Sequence, residues 1–120
     1  MNTNIKILKA YVKDKQYLKV LQVLTNTPNN TQELFIAVEA YIGLNRFEVA
    51  DSLLKEWQFK MQCNYDWAMW LYLKGLVVSN QNKDKHEAIL YLNNAKTFLQ
   101  HHEDDLLLNK INKLVQQFEN

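Results

Sequence analysis

Three histidines and one cysteine are the side chains here best suited to metal or nucleophilic chemistry. His86 sits beside Glu87 in a polar stretch, while His101 and His102 are adjacent and lead into Glu103, Asp104 and Asp105. Imidazole and carboxylate both bind zinc, so "HHEDD" has the composition of a surface metal site. The spacing argues against it. Adjacent residues of a helix point in different directions, whereas paired helical ligands stand three or four apart. No second cluster in the sequence pairs with this one. A solvated loop, with Asp104 or Asp105 capping the helix that follows, is the expected reading. Two glycines cannot build a phosphate-cradling loop. No catalytic residue, metal or cofactor is expected, and the chain is not read as an enzyme.

The lone Cys63 cannot form an internal disulfide. It fits a reducing compartment, hence a cytoplasmic location, and a buried structural thiol. The N-terminus lacks the apolar core of a signal peptide, and no stretch reaches the ~18 apolar residues of a membrane span. Net charge is +1, so no general basic field faces nucleic acid or anionic lipid. The lysines are nonetheless uneven. Lys6, Lys9, Lys13, Lys15 and Lys19 make the N-terminal part the most basic, which favours either an acidic partner segment or plain solubility.

The elements that must position these residues follow from apolar spacing. With 48% apolar and 22% charged residues in 120, the composition is that of one globular domain. Two Gly and one Pro are too few for the turns of an all-β fold. Ile5, Leu8 and Val12 recur at helical spacing, as do Tyr17, Val20, Leu21 and Leu24 after "KDKQ". Pro28 breaks the chain, and Thr31 is the expected N-cap of the next helix. Leu34, Ala37, Val38 and Tyr41 form one face of that helix. After "GLNR", where Gly43 and Asn45 tolerate a left-handed backbone, the stripe resumes with Phe47, Ala50, Leu53, Leu54 and Trp57. Residues 64–78 are apolar on nearly every side, and 79–87 read as a polar loop. Ala88, Leu92, Ala95 and Leu99 continue, and Leu107, Ile111, Leu114, Val115 and Phe118 close the chain. The expectation is all-α, with seven helices and no strand.

Tyr11, Tyr17, Val20 and Leu24 match Tyr41, Phe47, Ala50 and Leu54 at one constant offset. Leu71, Gly75, Val78, Ala88 and Leu92 fit the same series with a connection one residue longer. This pattern resembles the tetratricopeptide repeat, a helix pair of ~34 residues with small residues where helices approach closely. The departures are uneven spacing and Leu8 and Val20 where the first unit would carry small residues. The resemblance implies repeats at about 4–25, 31–62 and 65–99, stacked as antiparallel helix pairs in a single domain over 1–120, with a cap helix at 104–118. It also implies a concave groove lined by the first helix of each pair. The groove positions here would be Ile5, Lys9, Val12, Phe35, Glu39, Ile42, Met69, Tyr72 and Leu76. The family's clamp for a C-terminal carboxylate needs several basic residues at such positions. Only Lys9 qualifies and Glu39 opposes it, so that clamp is not expected. An apolar groove suits an amphipathic helix of a protein partner. By size, repeat number and groove character the chain is similar to the small cochaperones that hold the needle subunit of type III secretion systems. The alternative is a permanent structural or adaptor subunit of a larger complex, or a homodimer joined through Trp67 and Trp70.

Overall fold

The computed structural model describes residues 5–24, 28–81, 83–100 and 105–120. Among the described residues the chain is all-α, with no strand and seven α-helices: α1 (Ile5–Lys13), α2 (Tyr17–Val23), α3 (Thr31–Gly43), α4 (Phe47–Trp57), α5 (Asn64–Gln81), α6 (Lys85–Phe98) and α7 (Asp105–Glu119). A short 3-10 turn, Gln58–Lys60, follows α4. The run 101–104, and with it the histidine pair and the Asp104 cap, lies outside the described residues.

Side-chain caps fix the starts of several helices. Asn30, in extended conformation, accepts from the Glu33 N–H at 2.9 Å. Glu33 reaches back to the Asn29 N–H at 3.3 Å. Asn30 therefore caps α3, and Thr31 is its first helical residue, so the helix starts one position earlier than expected. Asn is at least as good a cap as Thr, and from Asn30 the acid falls three residues on, where it can reciprocate. Asp66, also the third residue of its helix, accepts from the Gln62 N–H at 3.1 Å at the start of α5. Both acids are buried, and these bonds satisfy oxygens that burial would otherwise penalise. Asp84 caps α6 by accepting from the Glu87 N–H at 3.0 Å. The polar run that follows residue 78 is not all loop: Ser79, Asn80 and Gln81 extend α5. Ser79 and Asn80 send side-chain donors to the Leu76 carbonyl, at 2.9 and 2.8 Å.

The connections α1–α2 and α3–α4 are the same turn. Asp14, Lys15 and Gln16 donate to the carbonyls of Ala10, Val12 and Tyr11 at 3.0, 3.0 and 2.8 Å. Leu44, Asn45 and Arg46 donate to Ala40, Ile42 and Tyr41 at 3.0, 2.9 and 2.8 Å. This is the Schellman arrangement, which requires a left-handed residue just past the helix. Lys15 and Asn45 supply it, each at φ 60°. Gly43 does not; it is helical, and no glycine has positive φ. Its lack of a side chain serves packing, because a Cβ there would run into the Tyr17 ring. Lys83, at φ 54°, takes the left-handed place before α6.

Two compact units divide the chain, Met1–Glu56 and Trp57–Asn120. In the first, α1, α2 and α3 pack on one another. Leu8, Val20, Ile36 and Ala40 form a buried cluster, with Ile5, Tyr11, Val12, Tyr17, Leu21 and Leu24 packed around it. In the second, α6 packs against both α5 and α7. At Gly75 an added Cβ would meet Leu92 at 3.2 Å and the Ala88 carbonyl at 3.3 Å, which shows how closely α5 and α6 approach. α7 buries Leu107, Ile111 and Val115 and leaves Asn109, Lys110, Asn112, Lys113, Gln116 and Gln117 exposed.

Candidate partner-binding surface

Side-chain placement divides the predicted groove residues into three kinds. Phe35 and Met69 are core residues, 6% and 8% exposed. Lys9 is exposed, on the side of α1 away from Leu8. The other six are half-buried. Of these, Ile5 and Val12 pack against the Leu8–Val20–Ile36–Ala40 cluster, so they belong to the core side of α1 rather than to an open face. Glu39 and Ile42 lie on the last two turns of α3.

The sequence expected an open apolar face on α3, but that helix is buried nearly all round. Glu33, Leu34, Phe35, Ile36, Ala37, Val38 and Ala40 span its whole circumference. Its fully exposed residues are only Gln32 and Gly43, with Thr31, Glu39, Tyr41 and Ile42 half-buried toward its two ends. On α5, Ala68, Gly75 and Val78 are buried on the side facing α6, and Met69, Trp70, Leu73 and Val77 on the opposite side. Between them runs a half-buried stripe of Tyr65, Tyr72, Leu76 and Ser79, close to one line at helical spacing. The structure thus keeps Tyr72 and Leu76 together on a reachable face and draws Met69 inward.

The aromatic cluster is split as well. Trp70 is buried and Trp67 is half-buried, with ring centroids 6.1 Å apart in an edge contact at 66°. Trp67 also stacks on Phe98 of α6 at 6.3 Å and 23°. That pairing crosses two helices and has no signature in linear spacing. Trp57 is buried with Lys60 Nζ 4.4 Å above its ring, and its indole N–H has no partner among the described residues. Two residues on, Phe59 is almost fully exposed. Cys63, expected to be buried, is exposed: it immediately precedes α5, where the turn leaves no neighbour to cover it.

Neither a family model, a curated protein nor a solved structure matches this chain. Among the described residues no three His, Cys, Asp or Glu side chains come together to hold a metal ion. Among the described residues no helix is long and apolar enough to cross a membrane. The surface offers half-buried aromatic and aliphatic groups on α5, a lysine-rich face on α1 and α2, and scattered exposed apolar side chains.

Proposed function

We propose that the chain is a tetratricopeptide-like protein–protein interaction module or chaperone that binds an amphipathic helix of a partner. The observation that carries the reading is the Tyr65–Tyr72–Leu76 stripe of α5, a line of half-exposed apolar and amphipathic groups on a helix buried along both flanks. Tyrosine gives large contact area at low entropic cost, and an i, i+7, i+11 line matches the apolar face of a docked helix. Supporting it are the duplicated Schellman turns and the close approaches at Gly43 and Gly75, features that stacked helix pairs need. The binding groove of this reading centres on Tyr72 and Leu76; Glu39 and Ile42 of α3 are separate candidates. Covering ~1,000–1,500 Å² of mostly apolar surface suffices for a stable complex. The narrower reading, a cytoplasmic needle-subunit cochaperone, rests on size and repeat number.

A second reading, a permanent adaptor subunit, is favoured by Phe59, Leu90 and Leu106, exposed at 91%, 59% and 69%. Affinity capture from the native cells separates the two. A chaperone yields a small helical partner that is absent from the finished assembly; an adaptor stays in that assembly. Tyr72→Asp with Leu76→Asp is expected to abolish capture while the melting temperature falls by only a few degrees. Capture that survives this pair refutes the α5 stripe as the site.

A further inference from the structure

We propose that the lysine face of α1, its turn and α2 docks an acidic, amphipathic segment of a protein partner. The inference stands whether or not the α5 stripe binds a helix.

Charge in this chain is segregated. Residues 1–30 carry five lysines against one acid, Asp14; residues 31–120 carry nine basic and twelve acidic residues. The near-neutral total hides a basic end. Lys6, Lys9 and Lys13 stand three and four apart and are all exposed, as is Lys15 in the turn and Lys19 on α2. Lys6, Lys9, Lys13 and Lys15 take part in no ion pair among the described residues, so their charge is available to a ligand. Lys19 lies 5.7 Å from the Tyr11 ring centroid, which holds that ammonium close to the α1–α2 packing seam.

The turn continues the run of charge. Lys15 occupies a left-handed position that costs a branched or long side chain about 1–2 kcal/mol relative to glycine. The matching turn uses Asn45, a residue that visits this region readily. Lys83 takes the same conformation before α6, so this strain does not single out the patch; what Lys15 adds is an exposed charge just beyond the end of α1. Ile7, Leu18 and Val23, all exposed, are interspersed with the lysines. The complement of such a surface carries carboxylates with apolar side chains between them.

Other anionic partners fit less well. A membrane-surface helix must insert its apolar face, but that of α1 is occupied: Leu8 is fully buried, and Ile5 and Val12 pack beside it. For a nucleic acid, the patch contains no arginine for phosphate forks, and the net charge of the whole chain is only +1.

The test uses the full chain and two fluorescein-labelled peptides of about 16 residues. One places Glu and Leu at helical spacing; the other replaces every Glu by Gln. Anisotropy is read at about 50 mM and about 300 mM salt. The Glu peptide is expected to bind at least about tenfold tighter than the Gln peptide, and to weaken in high salt. The variant Lys6→Gln, Lys9→Gln, Lys13→Gln is expected to lose about tenfold, with unchanged helical circular dichroism. Lys85→Gln, Lys110→Gln, Lys113→Gln removes the same charge elsewhere and is expected to bind as the parent does. Equal binding of the two peptides, no binding of the Glu peptide, or equal loss in both variants overturns the inference. So does tighter binding to phosphatidylglycerol vesicles or duplex DNA than to the Glu peptide, lost in the α1 variant.

Discussion

Phe35→Ala tests most directly how α3 is oriented. As a groove residue Phe35 would be expendable to the fold. As a side chain 6% exposed it is not. Its helical neighbours Leu34, Ile36, Ala37 and Val38 are themselves at most 5% exposed, so α3 cannot rotate or settle to fill the space left by the ring. Truncating a buried Phe under those conditions costs about 3–5 kcal/mol, transfer and cavity together. For a chain of this length each kcal/mol moves the melting temperature by ~3–5 °C, so a fall of at least ~10 °C is expected. Phe35→Asp adds an unpaired carboxylate in an apolar site. Against a total stability of ~5–15 kcal/mol it is expected to leave little folded protein. The assay is thermal and urea unfolding followed by far-ultraviolet circular dichroism. A Phe35→Ala variant melting within ~3 °C of the parent would refute the core assignment and return Phe35 to the surface of α3.

Three further outcomes follow from the local geometry. Asn30→Ala and Asp84→Ala are each expected to lose about 1 kcal/mol, read as urea midpoints, whereas Thr31→Ala, inside the helix, should lose less. Lys15→Gly is expected to raise the melting temperature by a few degrees, since relief of the left-handed strain, about 1 kcal/mol, outweighs the added chain entropy. Gly43→Ala would gain about 1 kcal/mol of helix propensity at an open site. Here it forces the Tyr17 ring aside, so a net loss of about 1–2 kcal/mol is expected, and a Tyr17→Leu background should shrink it.

Helices with one apolar stripe were readable from the sequence, and those apolar all round were not. α1, α4 and α7 bury the residues that their spacing marks: Leu8; Ala50, Leu54 and Trp57; Leu107, Ile111 and Val115. The breaks at 14–16 and 44–46 fall where the sequence placed them, because both helices end in residues that can close a Schellman turn. α3 and α5 carry apolar residues on every side, so spacing cannot say which side stays open. The sequence places Phe35 and Met69 in a groove, and both lie inside. Gly43 was misread for a related reason. A glycine beside a turn signals either a bend or a close neighbour, and only Tyr17, on a helix well upstream, distinguishes them. Residues 79–81 read as loop, yet Ser79 and Asn80 bond their own helix through the Leu76 carbonyl.

The pattern of helix neighbours also bears on how the chain is made. In each unit the packed helices are close in sequence: α1 with α2 and α3, α2 with α3, α6 with α5 and α7. Contacts of this kind close short loops, and helical domains built from them fold in about microseconds to milliseconds. Ribosomes add ~5–20 residues each second, so a helix pair takes on the order of seconds to emerge. The α1–α2 pair therefore has time to sample its packing before α3 arrives to complete the cluster around Leu8. α7 leaves the ribosome after α6 and packs on a helix that has already emerged.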